Sequence, residues 1–182
     1  MATTRRTVVE SGIKVTADSA TSFRLADLEP YRKLSGLSLK EMDIGWWDGS
    51  ASRLVLLELK GSEVWDAFDS PMKDAHDHLV ANLGSKAADV LMLLAATWLG
   101  TTRGAELKGL LPKEVQSYPG DGRIKLVFLV DTPASRRPLL VAVKDELNRK
   151  TAGRARLFGI RHLTVVDLDV AVKMGLPVER VT

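Results

Sequence analysis

The sequence predicts an α/β domain with a mixed β-sheet that is covered by helices on both faces. Two aliphatic segments flank a turn signal early in the chain, a pattern typical of an antiparallel hairpin. Two later aliphatic runs are separated by a helical segment, which is typical of parallel strands joined by a crossover. Because helical segments alternate with these strands, the class with helices on both sides of one sheet is favoured.

The pattern predicts seven main elements, in the order helix, strand, strand, helix, strand, helix, strand: 22–34, 37–47, 53–60, 70–100, 123–132, 136–150 and 162–169. A short closing helix follows at 170–175. The turn between the first two strands is expected at 48–51, and Gly84–Ser85 could split the long helix.

Composition is that of an ordinary soluble globular protein. The chain has 182 residues, with 45% hydrophobic and 27% charged residues, which suits one domain over 1–182. We expect the polar stretch over about 1–21 to be loosely ordered. The chain has no cysteine, which excludes a disulfide framework, a thiolate zinc site and a cysteine nucleophile. The net charge of +3 permits a polyanionic partner without requiring one.

The chain shows no targeting or membrane signal. The N-terminal stretch over 1–14 lacks the apolar run of a secretory signal. The longest apolar run, over 90–99, is shorter than the roughly 20 residues that span a bilayer. The sequence therefore predicts a soluble cytoplasmic protein with no membrane partner.

Charged residues stand where the predicted hairpin leaves the core. Strand side chains alternate, so Glu58 and Lys60 share a face with the aliphatic residue Leu56. With a turn at 48–51, Asp43 lies opposite Leu56 and diagonal to Glu58, and a register shift of two would put it directly opposite Glu58. The hairpin is therefore expected to bring two carboxylates and a lysine together.

Such a pair of carboxylates is suited to a hard cation. Two carboxylates about 5 Å apart repel by roughly 3 kcal/mol at an effective dielectric of about 20. Lys60 offsets part of this repulsion, and a divalent cation between Asp43 and Glu58 would offset more. Oxygen ligands in a wet site favour Mg²⁺, for which Mn²⁺ can substitute, and Lys60 would assist an attacking water.

An acidic residue on one strand, followed by Glu-x-Lys at the end of the next, resembles the core of the PD-(D/E)XK nuclease superfamily over about 37–132. The resemblance implies a restriction-endonuclease-like fold and a Mg²⁺-dependent nuclease that hydrolyses phosphodiester bonds, in DNA. It implies that Asp43, Glu58 and Lys60 are catalytic, with the backbone carbonyl of Leu59 as a further metal ligand. The proline that names the motif is absent, since Met42 precedes Asp43.

Further residues are assigned through the same resemblance. Some members add a glutamate from the first helix, and the candidates here are Glu29 or Glu10. Candidate nucleic-acid contacts are Lys86, Arg103, Arg136 and Arg137, although a solvated charge is the ordinary interpretation for each. A homodimer or a partner protein could supply sequence specificity.

Two alternatives stay open at this point. The same fold could be a non-catalytic nucleic-acid-binding or assembly module. A second acidic site is also conceivable, because Asp131, Asp167 and Asp169 follow two predicted parallel strands, where open α/β sheets bind ligands. Glu58 together with these aspartates resembles the acidic pattern of Toprim domains.

Overall fold

The computed structural model describes residues 4–69 and 74–181. Its strands, in chain order, are β1 Arg5–Glu10, β2 Ile13–Asp18, β3 Ser22–Phe23, β4 Ile44–Asp48, β5 Arg53–Lys60, β6 Ile124–Val130, β7 Thr164–Val166 and β8 Val178–Arg180. Its helices are α1 Glu29–Ser35, α2 Asp66–Asp69, α3 Ala75–Leu99, α4 Thr102–Lys108, α5 Arg137–Arg156 and α6 Leu168–Lys173.

Two sheets form the framework of this mixed α/β fold. The larger sheet has the order β3-β4-β5-β6-β7, and the smaller has the order β1-β2-β8. Within the larger sheet, β3, β4 and β5 are antiparallel neighbours, whereas β6 and β7 join in parallel. The predicted mixed sheet is therefore confirmed, with β5 as its central strand.

Each face of β5 lies in a separate apolar core. Leu54 and Leu56 pack in a core with Leu83 of α3 and Val143 of α5. We call this the helical face of the larger sheet.

The opposite side chains of β5, Val55 and Leu57, pack with Val15 of β2 and Ala171 of α6. This face is covered by the smaller sheet and α6 rather than by helices alone. Helices therefore lie on both faces as expected, but the smaller sheet, which the sequence does not predict, shares the cover of this face with α6.

The described part of the N-terminal segment contains two strands. Strands β1 and β2 form an antiparallel hairpin whose side chains Val8, Ile13 and Val15 are buried. Ser11 and Gly12 turn the chain with φ of +53° and +71°, as a two-residue hairpin turn requires. Over 5–18 the prediction of loose order was wrong, because the overall polarity of the segment hid an alternation with one buried face. Residues 1–3 of that prediction lie outside the described residues.

Other boundaries also differ from the sequence prediction. The predicted strand 37–47 is β4, which begins only at Ile44, and the predicted helix 22–34 is replaced by β3, a 3₁₀ turn and α1. Helix α3 is continuous through Gly84, where a Cβ would make ordinary contact, at 3.6 Å, with side chains of α5. The start of that helix predicted at 70–73 lies outside the described residues.

Helix α3 is, within the described ranges, the one helix long and apolar enough to cross a membrane by length and composition. Core helices of soluble proteins share those properties. The buried residues Val80, Leu83 and Val90 of α3 lie in the core under the larger sheet, which is the position of such a helix.

Gly45 of β4 provides a test of this packing. A Cβ at Gly45 would lie 2.4 Å from Cζ of Phe23 and 2.9 Å from Cδ2 of Leu56. We expect Gly45→Ala to lower the free energy of unfolding by about 1–3 kcal/mol through overpacking. Urea denaturation would measure it, with Gly49→Ala as the control, because a Cβ at Gly49 meets nothing within 4 Å. Equal effects of the two substitutions would contradict this account of the β3–β4 contact.

Candidate functional site

The register of the β4–β5 hairpin brings Asp43 beside Glu58. Ile44 pairs with Leu57, so one further step places Asp43 next to Glu58. The prediction that Asp43 lies opposite Leu56 was wrong by two residues, which keeps the same face of the strand. The hairpin thus brings the two carboxylates closer than the predicted register does.

The cause of this shift lies in the turn, which spans 49–52 instead of 48–51. Asp48 remains in β4 and pairs with Arg53, while its carboxylate accepts hydrogen bonds from Ser50 Oγ at 2.6 Å and Ala51 N at 3.3 Å. Ser52 adopts a φ of +47° to close the loop. One aspartate therefore both ends the strand and stabilises the turn.

Glu58 is a fully buried charge with two lysines against it. Its exposed fraction is 0%, and its Oε1 lies 2.9 Å from Nζ of Lys60 and 2.7 Å from Nζ of Lys86. Neither oxygen of Glu58 has a hydrogen-bond partner in the described part of the chain, so the lysines hold it as ion pairs. Buried charges of this kind are retained only when opposite charges compensate them.

The two lysines reach this position from different elements. Lys60 ends β5, and Lys86 projects from the middle of α3, which packs on the helical face. The side chains of Lys60 and Lys86 keep 26% and 18% of their surface exposed. The two lysines therefore lie between the buried carboxylate of Glu58 and the solvent.

Asp43 precedes β4, and its environment makes ionisation costly. Burial and the nearby charge of Glu58 raise the pKa of Asp43 to about 6, while a hydrogen bond and the two lysines oppose the rise. That hydrogen bond is donated by the backbone N–H of Leu59 to Oδ2 of Asp43 at 2.7 Å. A pKa shifted this far by burial plus a charged neighbour is characteristic of functional sites.

Arg24 supports Asp43 from the other side. Its Nε donates to the carbonyl of Asp43 at 3.1 Å, and its Nη2 pairs with Oε1 of Glu10 at 2.9 Å. Arg24 therefore links Glu10 to the backbone of the hairpin. Glu29, the other candidate accessory acid, is exposed at the start of α1 and pairs with Lys33 at 2.9 Å.

The candidate nucleic-acid contacts separate in the structure. Lys86 pairs with the carboxylate of Glu58, whereas Arg103 lies exposed on α4 and pairs with Glu106 in the same helix. Arg136 pairs with Asp69, and Arg137 begins α5. Of these four residues, only Lys86 contacts the carboxylates of the hairpin.

The alternative acidic site is not assembled. Asp131 pairs with Arg180 of β8 at 2.7 Å, on the side of the sheet opposite to α3 and Glu58. Asp167 accepts a hydrogen bond from Val170 N at the start of α6.

Arg137 lies between the other two aspartates, with Nε 3.0 Å from Asp167 and Nη2 2.7 Å from Asp169. Arginines therefore neutralise these acids, and Glu58 points away from them.

The hairpin residues fit a cation with few protein ligands. The described residues contain no group of three or more His, Cys, Asp or Glu side chains placed to hold a metal. Asp43 nevertheless lies beside Glu58, and Oε2 of Glu58 has no hydrogen-bond or ion-pair partner among the described residues. Two carboxylates with water completing the shell are a usual way for proteins to bind Mg²⁺.

Comparisons with known proteins add no family assignment. No family model matches this chain, and neither a curated protein nor a solved structure is significantly similar to it.

Two residues of the site were not recognised in their roles from sequence. The sequence predicts Lys86 as a contact to nucleic acid rather than as a partner of Glu58, and it gives Arg24 no role. A lysine within the apolar stretch of α3 was the available signal for the first, since a charge on a buried helix face requires a partner. Nothing local indicated the contact between Arg24 and the backbone of Asp43.

Asp43 should make stability depend on pH. Its pKa of about 6 in the folded protein exceeds the ordinary 3.8, so the folded state holds the proton more tightly. The free energy of unfolding therefore falls as pH rises from about 4 to 6, and this loss remains above pH 6. Relative to wild type, Asp43→Asn should gain up to about 3 kcal/mol between pH 4 and pH 7.

Urea denaturation in EDTA at several pH values measures this gain. The matched control is Asp145→Asn, which removes a carboxylate from a side chain that is 71% exposed. A gain for Asp43→Asn that does not change with pH would refute the buried, repelled carboxylate.

Lys86 should stabilise the fold through Glu58. Lys86→Met leaves the buried carboxylate with one cation fewer, and we expect a loss of about 1–3 kcal/mol. Combining it with Glu58→Gln should cost less than the sum of the two single changes. Lys33→Met, which breaks only the exposed pair with Glu29, should have little effect on stability. If the double variant loses as much stability as the two single variants together, Glu58 and Lys86 do not interact.

Proposed function

We propose that the protein is a metal-dependent nuclease that hydrolyses phosphodiester bonds, in DNA. The observation that carries the proposal is the meeting of Asp43, Glu58, Lys60 and Lys86 at the end of β5. Two carboxylates and two lysines can bind a divalent cation and a phosphate together. The restriction-endonuclease-like fold and membership of the PD-(D/E)XK superfamily are parts of the same proposal.

Both carboxylates are metal ligands in this proposal. Asp43 and Glu58 would hold Mg²⁺ or Mn²⁺, with the backbone carbonyl of Leu59 as a further ligand. A bound cation of this type activates water and neutralises charge on a phosphate. Asp43 must lose its proton to act as a ligand, so metal affinity should increase as pH rises through about 6.

The lysines act on the phosphate side of the reaction. Lys60 is partly exposed and lies against Glu58, so its ammonium group can orient a water and donate to a phosphate oxygen. Lys86 adds a second fixed positive charge from α3. Positive groups held in place before the reaction stabilise negative charge that develops in a transition state.

The wider assignments follow from this chemistry. Arg103, Arg136 and Arg137 remain candidate contacts to nucleic acid outside the site, and a homodimer or partner protein would supply specificity. The proposal includes a cytoplasmic location, where nucleic acid and Mg²⁺ are both present.

One observation favours a second candidate function, a non-catalytic binding or assembly module. Glu58 is completely buried and is neutralised by Lys60 and Lys86, as a purely structural charge cluster would be. In that case the fold would be kept without cleavage, and divalent cations would not affect its stability.

A cleavage assay separates the two functions. Labelled duplex, single-stranded and junction DNA, together with RNA, would be incubated with Mn²⁺ or Mg²⁺ and either wild type, Glu58→Gln or Lys60→Ala. We expect cleavage by wild type and a decrease of at least about 100-fold in each variant, because each loses a group that acts on the transition state. Lys113→Ala, an exposed lysine outside the site, is the control for a lost charge.

A parallel thermal-shift measurement makes a negative result informative. Mn²⁺ should raise the Tm of wild type and not that of Glu58→Gln, because a ligand bound to the folded state stabilises it. No cleavage and no Mn²⁺ effect would favour the binding module. Equal cleavage by all the proteins would show that the activity belongs elsewhere.

A further inference from the structure

A cavity opens at the end of the larger sheet where β5 and β6 begin. Its volume is about 350 Å³, near the lower end of the range for small-molecule sites. We define this basic cavity by the side chains of Arg53, Lys125 and Arg161 and by a backbone wall at Gly122 and Gly159. His162 lies at its rim, before β7.

The basic cavity is separate from the hairpin carboxylates. Arg53 is the first residue of β5 and Glu58 is five residues further on, which corresponds to about 17 Å along a strand. Lys125 and Val127 are two residues apart in β6 and therefore share a face of the strand. Val127 belongs to the core on the smaller-sheet side, whereas Glu58 points to the helical face. The two sites therefore lie at opposite ends and on opposite faces of the sheet.

The charges that line the basic cavity are mostly uncompensated. Arg53 pairs with Asp48 at 3.1 Å. Neither Lys125 nor Arg161 makes a side-chain hydrogen bond or ion pair with any residue in the described ranges, and no carboxylate lines the cavity. Arg53, Lys125 and Arg161 thus line one space, with the carboxylate of Asp48 beside Arg53 and that of Asp121 against Gly159.

Lys125 experiences this imbalance directly. Burial and then the charge of Arg53 lower the pKa of Lys125, and Asp48 only partly offsets them. An anion in the cavity would reverse this effect.

The backbone wall of the cavity is open at Gly122 and filled by Asp121 at Gly159. Gly122 and Gly159 have φ of +73° and +66°, a region in which other residues are strained, and Gly122 N donates to Gly159 O at 3.2 Å. A Cβ at Gly159 would lie 2.6 Å from Cα of Asp121, whereas one at Gly122 would meet nothing within 4 Å. Glycine is needed for close packing at one position and leaves open space at the other.

We propose that the basic cavity binds a phosphate group of a ligand, either a free phosphate compound or the backbone of a nucleic acid. Arginine and lysine together form strong charge-assisted hydrogen bonds with phosphate oxygens. This site does not depend on the proposed hairpin chemistry, because no residue of the hairpin site lines it.

The test is calorimetric titration of the intact chain with pyrophosphate, at low ionic strength and in EDTA. Lys125→Gln and Arg161→Gln should each weaken binding by about tenfold, the effect of losing one charge-assisted hydrogen bond. Lys113→Gln removes an exposed charge outside the cavity and should leave binding unchanged. Lys60→Gln, at the hairpin site, measures any pyrophosphate that binds there instead.

Competition identifies the source of the phosphate. Displacement of pyrophosphate by a short single-stranded oligonucleotide would support a nucleic-acid backbone as the ligand, and failure to displace it would support a small phosphate compound. Absence of pyrophosphate binding by wild type, or equal binding in Lys125→Gln and Arg161→Gln, would overturn the proposal. A loss in Lys60→Gln alone would also overturn it by moving the anion to the hairpin. Since the titration contains no divalent cation and no cleavage step, its outcome is independent of nuclease activity.

Discussion

The buried carboxylate of Glu58 is the constraint around which this fold is arranged. A fully buried negative charge requires compensation, and here it comes from Lys60 in the same strand and Lys86 in α3. The ion cluster therefore joins the central strand of the larger sheet to the longest helix. It also fixes how α3 must lie on the sheet, because the ammonium group of Lys86 has to reach one particular carboxylate.

Asp43 adds a second carboxylate that is repelled by Glu58. Its carboxyl lies beside Glu58, accepts a hydrogen bond from Leu59 and is held through its backbone by Arg24. A protein selected for stability alone would not need a second carboxylate at this position. Local instability that the surrounding structure maintains is a common property of functional sites, and this is the strongest physical argument for chemistry at the hairpin.

Much of the frame could be predicted because its signals are local. The continuous aliphatic run of β5 and the parity of Glu58 and Lys60 depend only on strand alternation, and both agree with the structure. The register could not be predicted as well, because it depends on whether Asp48 belongs to the turn or to the strand. The N-terminal hairpin was missed since its polar outer face dominates its composition.

The amino-acid sequence is enough to predict the α/β class, the central strand and the presence of an acid and a lysine on one face of its end, because those properties follow from periodicity within single segments. Three further features appear only in the folded chain: Asp43 lies beside Glu58, Lys86 completes the ion cluster, and Lys125 and Arg161 share a cavity. These are contacts between segments far apart in the chain, and they form because the cores on the two faces of the sheet bring the segments together.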